Sequence, residues 1–190
     1  MKRLLACLLL VSTGLSHAAP SDYKVGERLA PAAAKPGATR TIDWDDLMPK
    51  DWDPMKLIEN LKLDKLKDSD PRAQEAMDKL KAMWNAAPAN TDLNGANVRI
   101  AGFAVPLEWN KQEAKEFLLV PYFGACVHVP PPPANQIIHV TAETPYKVKG
   151  YMDAVWVSGK LSVSMVKTSM GDSVYRLQAS KVEPYKEPKK

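Results

Sequence analysis

The segment "AVWVSGKLSVSMV", residues 154–166, constrains the fold more than any other stretch of the chain. Val155, Val157, Gly159, Leu161, Val163 and Met165 recur at every second position, and Trp156, Ser158, Lys160, Ser162 and Ser164 fill the places between them. Successive side chains of a strand project to opposite faces, so the pattern predicts one strand with an apolar face and a polar one. The same period holds from Asn94 onward. "NVRIAGFAVPLEW" predicts a strand with Gly102 and Pro106 as bend or bulge points, "EFLLVPYF" a second and "NQIIHVTA" a third. "SVYRLQASKVEPY" ends the series, with Tyr175, Leu177 and Ala179 facing inward. Five strands joined by turn-rich connections point to an α+β, mainly β fold. The expected form is a small five-stranded antiparallel OB-like barrel over residues 91–190, whose closure protects its strand edges.

Ahead of the strands the period is helical. Asp53-Pro54 opens "MKLIENLKL" and Asp70-Pro71 opens "RAQEAMDKLKAMWNAA". In both, a capping Asp precedes a Pro at the first helical position, where a missing N–H costs nothing. Ala73, Ala76, Met77, Leu80, Met83 and Trp84 follow the three-four spacing of one buried face, and Pro88 closes the helix. Upstream, "TIDWDDLMPKDWDP" sets Trp44 and Trp52 among acidic residues and prolines and is expected to pack as an irregular segment. Residues 41–90 therefore read as a helical section packed on the barrel.

The N-terminus carries a different signal. Residues 1–19 hold Lys2 and Arg3, an apolar run from Leu4 to Val11, and small residues ending in Ala18-Ala19. This is the layout of a cleaved secretory signal peptide, so the mature chain is expected in the periplasm, with residues 20–40 as a flexible lead-in. No later stretch approaches the ~18 apolar residues of a membrane span. Removal of Lys2 and Arg3, from a leader with no acidic residue, takes the net charge from +4 to +2. That balance makes no electrostatic case for nucleic acid as a partner.

Cleavage also removes Cys7 and His17, leaving Cys126, His128 and His139, all within fourteen positions. They bracket four prolines in "FGACVHVPPPPANQIIHV". A lone cysteine cannot close an intramolecular disulfide, so in an oxidising compartment it is buried, metal-bound, reactive or paired with another chain. Read as a strand, the segment puts Cys126 and His128 on one face. The prolines then form a polyproline II strut advancing about 3.1 Å per residue. His139 shares a face with Ile137 on the next strand, so the thiol and both imidazoles can converge. One thiolate and two imidazoles suit Zn²⁺, and also copper, with Glu143 or Asp153 as a fourth ligand or that position left open. The competing readings are plain packing of Cys126, His128 and His139, and a thiol-dependent enzyme with a His base, in which Asn135 orients the base and the glycine of "FGAC" frees N–H groups for an oxyanion. A further alternative is a non-catalytic module that presents tryptophans or exposed prolines to a partner.

"WDDLMP", "AGFAVPLE", "EFLLVPYFGACVHVPPPPANQIIHV" and "VWVSGKL", in this order, resemble the bacterial exported proteins grouped as domain of unknown function 3299. The resemblance runs from about Ile42 to Tyr185. It implies no established reaction and no assigned ligands, but it does imply an accessory to metal handling that works beside ABC-transport components. The expectation is thus a periplasmic metal-binding accessory protein, most readily for zinc, with Cys126, His128 and His139 as ligands. Its expected partners are the metal ion and ABC-transporter components or another periplasmic protein, and binding rather than catalysis is favoured.

Overall fold

The structure is a computed structural model, and it describes residues 23–29, 39–61, 70–108, 112–126, 131–150 and 152–186. The expected signal peptide, most of the lead-in, and His128 lie outside the described residues. In chain order the elements are β1 (Arg40–Thr41), α1 (Pro54–Leu61), α2 (Pro71–Asn85), β2 (Asn97–Pro106), β3 (Glu113–Val120), β4 (Ile138–Lys147), β5 (Asp153–Lys167) and β6 (Asp172–Pro184). Short 3-10 turns at Trp44–Leu47, Thr91–Leu93 and Ala134–Gln136 link them.

All five expected strands form, as β2 to β6. The expectation of a five-stranded antiparallel sheet is nevertheless corrected. The sheet has six strands in the order β1-β2-β3-β4-β6-β5, and it is mixed. β1 lies parallel to β2, and β4 lies parallel to β6 with Ile138 opposite Tyr175 and Val140 opposite Leu177. The parallel pair arises because β5 is inserted antiparallel to β6, so β6 comes back beside β4 in the direction β4 already runs. β2 also pairs with β5 along Asn97–Ala104, which returns the last strand of the order to the second.

The alternation read from the sequence decides which face is inside. Val98, Ile100, Phe117, Leu119, Ile138, Val140, Val157, Leu161, Tyr175 and Leu177 are fully buried in one cluster. Two positions depart from expectation. Met165 is exposed because it lies near the far end of β5, and Trp156, on the expected polar face, is buried. Its ring is covered by Tyr185 at 5.7 Å and by the Arg99 guanidinium at 4.1 Å.

A second cluster lies on the opposite face of β2, β3 and β4. Phe103, Val105, Leu118, Val120 and Ile137 are covered there by Phe123, Ala125 and Met152. Residues 23–29, within the expected lead-in, complete this cover. Gly26 N–H donates to Phe123 O at 2.8 Å, Phe123 N–H to Glu27 O at 3.0 Å, and the Tyr23 ring meets Phe103 edge-on at 5.2 Å.

The N-terminal section is anchored by its irregular part. Asp43 and Asp46 form a capping box on the Trp44–Leu47 turn. Trp44 and Leu47 are buried, and the Trp44 indole N–H donates to Ala101 O at 2.8 Å. Gly102 is required by this contact, since a Cβ there would lie 2.9 Å from the Trp44 ring and 2.8 Å from Val120 O. Gly102 is therefore a point of close approach rather than a bulge. Asp53 and Asp70 cap their helices through the N–H groups of Met55 and Arg72, as the sequence indicates. Of the six residues expected to be buried on α2, Ala76 and Leu80 are, whereas Met77 is exposed.

Candidate functional site

The strand geometry expected at Cys126 does not occur. β3 ends at Val120, before Pro121, and the chain turns through Gly124 (φ 90°) and Cys126 (φ 66°). Cys126 is the one non-glycine residue with positive φ among those described. Left-handed backbone breaks the two-residue alternation, so that alternation does not carry Cys126 and His128 onto one strand face. The turn folds back on the outer face of the sheet. A Cβ on Gly171 would lie 3.8 Å from the Cys126 sulfur, 2.9 Å from Ile137 Cδ1 and 3.2 Å from Pro131 Cβ. Three separate chain segments thus meet beside Ile137.

His139, in β4, stands on that same face, two residues on from Ile137, whose extended backbone leads into the strand, a separation of about 7 Å. Its sheet neighbours are Leu118 and Arg176. The residue is 6% exposed, and its Nδ1 is buried without a hydrogen-bond partner. Burial lowers its pKa, Glu116 partly offsets this, and the Arg176 charge adds to the lowering. The imidazole is therefore held neutral, the form that ligates metals. Burial pushes the Cys126 thiol up to about 12. An unmetallated Cys126 is accordingly a protonated thiol and a poor nucleophile.

Two other parts of the catalytic alternative are engaged elsewhere. Gly124 N–H points to the Met152 sulfur at 3.2 Å, so it is not free for an oxyanion. The Asn135 amide donates to Pro88 O at 2.9 Å and does not orient a histidine. Among the described residues, no three or more of His, Cys, Asp and Glu gather as a metal-holding group. Glu143 is exposed, and Asp153 accepts from Lys149 N–H at 2.8 Å.

The proline run does something the sequence reading missed. Pro132 and Pro133 are buried, and Pro133 has polyproline-like backbone (φ −52°, ψ 150°). Pro132 and Pro133 are thus not available as an exposed proline ligand, and a buried Trp44 cannot serve as a platform, whereas Trp52 is half-buried. The run instead delivers Asn135 and Gln136 into the interior, where Gln136 Nε2 donates to Trp44 O at 2.9 Å. With the Asn135 bond to Pro88, the two amides clamp the N-terminal section to the start of β4. Adjacent amides between a proline run and an apolar strand were the available signal.

A profile described as protein of unknown function (DUF3299) matches residues 44–184. A crystal structure of a DUF3299 family protein from Pseudomonas aeruginosa PAO1 superposes with a TM-score of 0.62 at 33% identity, covering 80% of this chain and 100% of that one. No curated protein matches the chain. The matched span holds the Trp44 turn, strands β2 to β6, the Cys126 turn and the proline run together, and the chain belongs to the DUF3299 family.

Proposed function

We propose that the protein binds one transition-metal ion, Zn²⁺ first and copper as the alternative, through Cys126, His128 and His139. The observation that carries the reading is His139. A neutral imidazole with a buried, unpartnered Nδ1 lies on the face where the Cys126 turn packs beside Ile137. Burying an unmade hydrogen bond costs about 1–3 kcal/mol, and a metal ion removes that cost by taking the lone pair. A bound divalent cation also reverses the rise in the Cys126 pKa, because it stabilises the thiolate directly. His128 comes two residues after Cys126 and supplies the third ligand in this reading.

The same proposal takes the β2-β3-β4-β6-β5 circuit as an OB-like barrel and the chain as a periplasmic accessory acting beside ABC-transport components. Competitive zinc titration of residues 20–190 tests the site, with Cys126→Ser, His128→Ala and His139→Ala compared with wild type. Each variant is expected to lose at least ~10-fold in affinity, in line with removal of one ligand of three. Equal binding by wild type and all three variants overturns the proposal.

A further inference from the structure

The end of the sheet where β4 runs out, β5 begins and β6 finishes holds a groove of about 410 Å³. That is within the usual range for small-molecule sites. Val155, Val182 and Pro184 give it an apolar wall, and Tyr146, Lys147 and Lys149 stand along it. Its position follows from the pairing. Val155 lies opposite Pro184, and Tyr185 N–H donates to Ala154 O at 2.9 Å, so the two strand ends form a continuous floor.

Tyr146 is the informative residue. Its ring packs edge-on against Phe117 at 5.1 Å, beside the inner core. Its hydroxyl is buried and has no hydrogen-bond partner. Burial, with the Asp153 charge adding, raises its pKa, so the hydroxyl stays protonated and available as a donor. An acceptor supplied by a ligand would complete it.

Charge decides the ligand class. Of the two carboxylates on the groove, Glu183 is paired with Lys181 at 2.8 Å and Arg99 at 4.0 Å, while Asp153 accepts from the neutral backbone N–H of Lys149 and leaves one negative charge against the two ammonium groups of Lys147 and Lys149. Neither the Lys147 nor the Lys149 ammonium makes an ion pair among the described residues, although Glu113 is the cross-strand neighbour of Lys147. The aromatic rings are in turn occupied, Tyr146 by Phe117, Tyr185 by Trp156 and Tyr23 by Phe103. That leaves no open cage of ring faces for a quaternary ammonium. We propose that this groove binds a small monocarboxylate with an apolar body, the carboxylate reaching the Lys149 and Lys147 ammonium groups and the Tyr146 hydroxyl, and the body lying on Val155 and Val182. The site is separate from the metal proposal and stands without it.

Isothermal titration of residues 20–190 with benzoate tests it, with benzamide and choline as the uncharged and cationic comparisons. Benzoate is expected to bind saturably, benzamide at least tenfold more weakly, and choline not at all. Lys149→Met is expected to weaken benzoate at least tenfold, and Tyr146→Phe, which keeps the ring on Phe117, several-fold. Absence of saturable benzoate binding overturns the proposal. So does benzamide or choline binding as tightly as benzoate, or unchanged affinity in both variants.

Discussion

Tyr175 shows how much one side chain holds at the residue scale. It is fully buried, its hydroxyl donates to Leu47 O at 2.7 Å and it accepts from Asn90 N–H at 2.6 Å. Those two partners belong to the Trp44 turn and to the segment after α2, so one phenol ties both to β6. Tyr175→Phe keeps the ring and strands both backbone groups, and it is expected to cost about 1–3 kcal/mol in denaturant unfolding. Burial raises its pKa to about 12, with the Asn90 bond acting the other way. A raised folded pKa stabilises the fold below the unfolded value of about 10, and this stability is lost as pH rises through about 12. Wild type is therefore expected to lose stability over that window more steeply than Tyr175→Phe; parallel profiles would contradict the assignment. The inward place of Tyr175 was legible in the alternation of "SVYRLQASKVEPY". Its two partners, more than 80 positions upstream, were not, because hydrogen bonds between distant segments leave no local periodicity.

At the element scale, β5 and β6 make the longest pairing, and its register shifts between Ser158 and Gly159. A Cβ on Gly159 would run into Gln178 O and lie 2.8 Å from Ala179 Cα. The opposing atoms are backbone and cannot turn aside as a side chain would. Gly159→Ala is thus expected to destabilise by about 1–3 kcal/mol, toward the upper end, as a shift in the denaturation midpoint. A neutral result would mean that β6 moves freely past β5. The sequence placed Gly159 on the inward face but did not reveal this crowding, which depends on where β6 lies. The helices teach a related lesson. Asp53-Pro54 and Asp70-Pro71 announced both starts, since capping is a local property. The three-four spacing of α2 overstates its burial, because periodicity identifies the apolar side of a helix and not how much of it a neighbour covers. Cys126 failed for another reason, as the left-handed turn after Pro121 ended an alternation that the residue types alone would have continued.

Taken as a whole, the molecule should open unevenly. Sheet amides lie between two buried clusters, whereas α2 buries Ala76 and Leu80 and exposes most of its length. Native-state hydrogen exchange is expected to be at least ~10-fold slower in β3 and β4 than in α2. Equal protection would show that the helix unfolds only with the sheet. By itself the sequence determined β2 to β6, most of their inward residues, the helix starts and the family, all of which rest on local spacing or on runs of identical residue types. The tertiary structure decided the sixth strand, the parallel β4–β6 pair, the second cluster on the outer face, and the amide clamp made by the proline run. It also brought the Cys126 turn beside Ile137 and left the His139 Nδ1 and the Tyr146 hydroxyl buried without partners. Each depends on which distant segments meet, and a one-dimensional pattern carries the period of an element but not the identity of its neighbour.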